Sequence, residues 1–231
     1  MPVKELILPE LGKVKLYKRR GAKAIKITIT NDDHVRISLP MWLPYRAGVN
    51  FAINKHDWIT KHRKTPLALS NGARVGKAHT LVITSSGNYT KVITRVTKYD
   101  VRINIPSDLT HTIPAVQAVI KTAAQRALKK EAEVLLPTRL DQLAKKHDYN
   151  YTGLAVKKMS SRWGSCSHQG YISLNIFLMQ LDWPLIDYVI LHELTHTKHL
   201  HHGKEFWTQL KKTLPAVDEL RQELKTRQPS F

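Results

Sequence analysis

Between Lys13 and Leu39, apolar and polar residues alternate in three runs, Lys13–Arg19, Ala24–Thr30 and Val35–Leu39, the period-two pattern of strands with one buried face. Lys18-Arg19-Arg20-Gly21 and Asn31-Asp32-Asp33 have turn composition, so a meander is expected. From Pro44 to Lys64 the period changes. Val49, Ala52, Ile53 and Ile59 fall at helical intervals with Trp58 beside them, which predicts a helix packed on the sheet. Three further strands are expected at Leu81–Thr84, Lys91–Thr97 and Val101–Ile105, separated by Ser85-Ser86-Gly87-Asn88 and Lys98-Tyr99-Asp100. Strand patterns stop and helical ones start at Pro106–Pro114, which places a domain boundary there.

From Ile113 to His147, the residues Val116, Val119, Ile120, Ala123, Ala127, Leu128 and Leu135 form a helical stripe. Pro137 is expected to break or kink that helix, with a second segment to Lys146. Leu154–Met159 and Tyr171–Leu174 read as strands around a loop containing Arg162–Gly170. A largely apolar run, Ile186–Leu191, follows Pro184, a residue suited to a first helical turn. Phe206, Leu210 and Leu214 recur every four residues, Pro215 ends that helix, and a polar helix to about Arg227 closes the chain. The expected class is α+β: a basic, mainly antiparallel β-rich region over residues 1–106, then a helical domain over 107–231.

A chain of 231 residues holds one large or two small domains. It has no 18-residue apolar run, so no membrane span is expected, and MPVKELILPELGK lacks the layout of a signal peptide. Cys166 is the only cysteine, which excludes an internal disulfide; together these features point to the cytoplasm. No glycine-rich phosphate loop, CxxC pair or repeat is present, so nucleotide-dependent chemistry has no support. The net charge of +19 and pI near 10.1 predict attraction to polyanions such as nucleic acid. Lys13, Lys15, Lys18, Arg19, Arg20, Lys23 and Lys26 concentrate on the solvent side of the first strands, as a polyanion-facing strip or as the wet side of a sheet.

The strongest chemical signal is Leu191-His192-Glu193-Leu194-Thr195-His196. Residues at i and i+4 share a helix face, so both imidazoles can reach one metal ion, and Glu193 projects toward the ion's open side, where a carboxylate takes a proton from the attacking water. This HExxH pattern needs a third ligand, and His199, His201 and His202 lie just downstream. His199 is excluded if the helix continues, because seven residues advance the chain roughly 10 Å. His202 sits at the third-histidine position of the metzincin spacing, although the glycine of that pattern is His199 here, and it is favoured over His201.

The string from Tyr188 to Trp207, YVILHELTHTKHLHHGKEFW, resembles the active-site segment of the YgjP-like metallopeptidase family, relatives of the SprT-like and Spartan zincins. Arg162-Trp163-Gly164-Ser165-Cys166-Ser167 and Tyr171-Ile172-Ser173-Leu174-Asn175 resemble that family's lead-in. The resemblance spans roughly the last third of the chain. It implies a zincin-type domain and a zinc-dependent peptidase, with His202, four residues before Phe206-Trp207, as third ligand.

The expected function is therefore hydrolysis of a peptide bond in a peptide or protein substrate, with Zn2+ held by His192, His196 and His202 and Glu193 as general base. The competing class is a nucleic-acid-associated protein with a structural metal closed by a fourth ligand such as His168 or Cys166; a peptidase acting on nucleic-acid-bound proteins joins the two. Arg162, Tyr171 and Tyr188 are candidate stabilisers of the tetrahedral intermediate. Tyr171–Asn175 is either an ordinary core strand or an edge to which an extended peptide adds. Cys166 as a nucleophile is the weaker reading against a packed thiol.

Overall fold

Four strands, β1 (Val3–Leu8), β2 (Gly12–Arg19), β3 (Lys26–Ile29) and β4 (Val35–Pro40), build the first sheet of the computed structural model, which describes residues 3–29, 35–62 and 68–231. The alternation works as expected: Val14, Leu16, Val35, Ile37 and Leu39 point inward and are fully buried. The strand order is β1-β2-β4-β3, and β2 pairs with β4 in parallel while the two outer pairings are antiparallel, so the expected meander is corrected. Burial explains the order. The central place beside β2 goes to β4, which buries three aliphatic side chains, and the short β3, whose Ile27 and Ile29 are only half-buried, takes the edge.

Two helices, α1 (Tyr45–Asn54) and α2 (His56–His62), cover the inner face through Ala52 and Ile59. They replace the single expected helix because Lys55 leaves the helical region at φ −108° and ψ 17°. Thr30, the turn at Asn31-Asp32-Asp33 and the expected helix end at Lys64 lie outside the described residues.

The described chain forms two compact units that meet in sequence between Leu67 and Ala68. In the second, β5 (Thr80–Ser86), β6 (Ile93–Val96) and β7 (Asp100–Pro106) form a sheet of order β5-β7-β6. Strands β6 and β7 pack on α3 (Pro114–Lys146). The change of pattern at Pro106–Pro114 is thus internal to this unit, and the expected boundary at residue 106 moves upstream. Pro137 does not break α3, which runs for 33 residues. Proline deletes one N–H, but the residue four positions earlier, Glu133, is exposed, so its carbonyl can meet water. On the opposite side, buried Ala132, Leu136 and Leu140 hold the helix against its neighbours.

A buried carboxylate fixes α3 to the loop before β5. Glu131 accepts hydrogen bonds from the backbone N–H groups of Lys77 (2.5 Å), Ala78 and His79 (both 3.0 Å), and its Oε1 lies 2.6 Å from His79 Nδ1. The other ring nitrogen of His79 is 3.1 Å from the Thr97 carbonyl. Glu131→Leu leaves three N–H groups and an imidazole without an acceptor. Loss of about 3–5 kcal/mol of stability is expected in urea denaturation, whereas the exposed neighbour Glu133→Leu should change it by well under about 1 kcal/mol.

A third sheet, of order β8-β10-β9, is made by β8 (Gly153–Lys157), β9 (Gly164–Cys166) and β10 (Tyr171–Asn175). A 3-10 turn, Ile176–Gln180, then leads to α4 (Trp183–Thr195), α5 (Lys204–Thr213) and α6 (Val217–Thr226). The core around α4 is aliphatic and dense, with Ile172, Leu174, Ile186, Ile190 and Leu194 almost wholly buried; each such side chain contributes about 1.5–3 kcal/mol. Among the described residues no helix is long and apolar enough to cross a membrane.

Candidate metal centre

Helix α4 carries His192 and His196 one turn apart, the second at the helix end with backbone still helical at φ −64° and ψ −18°. The chain then bends back before α5, and the bend needs no left-handed residue: no described residue between His196 and Gly203 has positive φ, His199 included. The bend brings His202 Nε2 to 3.0 Å from His192 Nε2 and 3.1 Å from His196 Nε2. Nitrogens bound at about 2.0 Å to one tetrahedral ion stand roughly 3.3 Å apart, so the three atoms fit a shared metal. Among the described residues this group contains His192, His196 and His202 and neither His199 nor His201.

The chain around the triad holds it in place. His196 Nδ1 donates to the His199 carbonyl at 3.0 Å, which leaves Nε2 as a lone pair facing the cluster. His199 therefore serves through its backbone. Phe206 lies beneath all three imidazoles, with ring centroids 4.6–5.0 Å away. Trp207 stacks on His202 at 5.7 Å and donates its indole N–H to the His202 carbonyl at 3.1 Å. Thr195, buried between the two helical histidines, donates to the Leu191 carbonyl at 2.7 Å and meets Tyr149 Oη at 3.1 Å. His192 Nδ1 is buried and has no hydrogen-bond partner among the described residues, and burial pulls the His192 pKa down to about 3.

Glu193 is 6 % exposed and its carboxyl lies against Gly164 of β9. A Cβ at position 164 would stand 2.7 Å from both Cγ and Oε1 of Glu193, so only glycine leaves that carboxyl its place. Burial pushes the Glu193 pKa up to about 8, opposed in part by the positive charge of Arg162. His196 and His202 are both lowered, mainly by burial, so all three imidazoles favour the neutral, metal-ligating form.

A cleft of about 330 Å³ opens over these groups, lined by Arg162, Gly164, Cys166, His168 and Leu200 beside the triad and Glu193. Strand β9 falls in the segment expected to be loop. It is the edge of its sheet, whereas Tyr171–Asn175 is the central strand, so the edge reading of that segment is corrected. Hydrogen bonds from Asn175 N to the Trp163 carbonyl and from Ser167 N to the Tyr171 carbonyl, both 2.9 Å, fix the alternation of the ladder. The backbone groups of Gly164 and Cys166 accordingly face away from β10.

Of the three candidate stabilisers, Arg162 lines the cleft. Tyr188 lines a neighbouring cavity of about 170 Å³ that Gly164, His192 and Glu193 also border, its ring centroid 5.9 Å from that of His192, and Tyr171 donates its hydroxyl to the Leu154 carbonyl at 3.1 Å. The Cys166 thiol is pushed up to about 11 by burial and by Glu193, so it is not a nucleophile at neutral pH. Two residues to which sequence reasoning gave no task shape the site. One is Gly164. The other is fully buried Asn175, whose amide donates to the Met159 (2.8 Å) and Arg162 (2.6 Å) carbonyls and so anchors the loop entering β9.

An α+β domain with an HExxH helix, a third histidine beyond a bend and an edge strand beside them defines a metallopeptidase-type site. The family profile of the YgjP-like metallopeptidase domain matches residues 23–227, and the chain belongs to that family. No curated protein sequence matches it. Two solved metallopeptidase zymogens are similar over part of the chain. Abylysin of Pyrococcus abyssi is 20% identical, with 40% of this chain and 93% of that one covered at a TM-score of 0.37. Jannalysin of Methanocaldococcus jannaschii is 24% identical, with 39% and 93% covered at 0.35.

Proposed function

We propose that the protein is a zinc-dependent peptidase in which His192, His196 and His202 hold the metal and Glu193 is the general base. The convergence of three Nε2 atoms beside a buried carboxylate carries this reading. Zinc held there by His192, His196 and His202 would supply Lewis acidity and would make water a stronger acid. Glu193 takes a proton from the attacking water and returns it to the leaving amine, a task suited to a carboxyl whose pKa burial has brought toward neutrality. Arg162 reaches the same cleft and can offset negative charge as the tetrahedral intermediate forms. The outward N–H and C=O groups of Gly164 and Cys166 suit an extended peptide added to β9, which would run past Glu193.

The competing structural-metal reading requires a fourth protein donor, and among the described residues the cluster has three. The ligand assignment is tested by elemental analysis and by hydrolysis of an unstructured peptide with and without chelator. Wild type and His201→Ala should hold about one zinc each and lose activity on chelation, whereas His202→Ala should lose metal affinity by at least about tenfold. Retention of metal in His202→Ala, or its loss only in His201→Ala, contradicts the assignment.

A further inference from the structure

The positive charge is unevenly distributed along the chain. Residues 1–67 contain 14 lysines and arginines against five acidic residues, nearly half of the net +19 on less than a third of the length. The inner face of the first sheet is closed by α1 and α2, so its cations are confined to the outer face and the strand ends. The alternation of β2, β3 and β4 puts Lys13, Lys15, Tyr17, Arg19, Lys26, Arg36 and Ser38 on that outer face. Register sets Lys15 beside Arg36, and Tyr17 and Lys26 on either side of Ser38. Cations there stand about 5–7 Å apart in two directions.

One end of this face is already neutralised. Glu5 of β1 pairs with Lys13 at 2.8 Å and Lys15 at 2.7 Å. At the other end Arg19, Arg20 and Lys26 line a cleft of about 340 Å³ with Gly21, Ala22, Ala24 and Ser38, and among the described residues no carboxylate lines it. Two aromatic surfaces accompany these charges. Arg36 lies over the Tyr17 ring at 4.2 Å, and Trp42, two residues beyond the Pro40 that pairs with Arg19, is 75 % exposed. An exposed indole close in the chain to arginines that no carboxylate of the described residues engages suits a ligand with both phosphates and exposed base faces. A duplex offers the phosphates but keeps its base faces stacked inside the helix.

We propose that the outer face of this sheet binds single-stranded nucleic acid, with Arg19, Arg20, Lys26 and Arg36 on phosphates and Trp42 stacking on a base. Recognition is independent of sequence, since backbone charge and stacking carry it. The proposal does not depend on the peptidase reading.

The test is fluorescence anisotropy of a labelled 20-nucleotide single strand, its duplex and a poly-glutamate peptide, titrated with the full chain across a salt series. The single strand should bind most tightly. Arg19→Ala/Arg20→Ala/Arg36→Ala should reduce the log-log salt slope by about 2, near 0.7 per lost contact. Trp42→Ala should weaken binding by about 5- to 150-fold with the slope unchanged, the range of one lost stacking contact. A control that removes the same charge from exposed Lys130, Lys146 and Lys225 of the second unit should leave the slope nearly as in wild type. Melting temperatures verify that each variant folds. An equal effect of the control triple, tighter binding of the duplex, equal binding of poly-glutamate, or no binding near physiological salt would each overturn the proposal.

Discussion

Glu193→Gln should reduce peptide hydrolysis by about 10²–10⁴-fold while the zinc content stays at the wild-type level. Glutamine keeps the shape that fits against Gly164 and removes the proton acceptor. The same variant has a second signature in the metal-free protein. The Glu193 pKa is raised by folding from about 4.5 to about 8, so the fold favours the neutral carboxyl, and stability is lost as pH rises through that window. Glutamine does not ionise. Chelated Glu193→Gln should therefore be more stable than chelated wild type at pH 8, by up to about 4 kcal/mol, and nearly equal to it at pH 4.5. His192 acts in the opposite sense, since its pKa is lowered to about 3 and its contribution is lost as pH falls below about 6.5. Wild-type activity in the glutamine variant, or loss of its zinc, contradicts the role given to Glu193.

Gly164→Ala should be nearly as damaging to turnover although it deletes nothing. The added Cβ would stand 2.7 Å from Glu193 Cγ, part of the side-chain stem and not a flexible tip, so the carboxyl must leave its position. Turnover should fall about 10²-fold or more with zinc content unchanged, because the three atoms nearest the added Cβ all belong to Glu193. A double-mutant cycle separates this from other causes. If Gly164 acts through Glu193, the Gly164→Ala/Glu193→Gln protein should be no slower than Glu193→Gln alone. Multiplying losses would instead locate the damage in the strand edge where the peptide is placed.

The parts of this molecule that were legible in the sequence are those fixed by local geometry. His192 and His196 share a face because any helix places i and i+4 together, and Ile186–Leu191 with Pro184 announced the helix. Position 202 was singled out by spacing, and the bend does bring its Nε2 to the pair. What depends on distant partners was not legible. The three residues Gly164-Ser165-Cys166 have little strand propensity, and they become a strand only by pairing with β10. The parallel pairing of β2 with β4 and the packing of β6 and β7 on α3 are likewise tertiary choices, which is why a meander and a boundary at residue 106 were expected. Pro137 was misjudged because buried Leu136 and Leu140 outweigh the single hydrogen bond it removes. The steric dependence of Glu193 on Gly164 joins residues 29 apart and has no sequence signature beyond the glycine itself.

Zinc K-edge X-ray absorption on the metal-loaded full chain tests the site most directly. The proposed site predicts three imidazole nitrogens and one non-protein oxygen, all at about 2.0 Å, with the oxygen signal altered by a hydroxamate inhibitor. A sulfur shell at about 2.3 Å from Cys166, or a fourth imidazole in place of the oxygen, would make the site closed and structural and would contradict the peptidase reading.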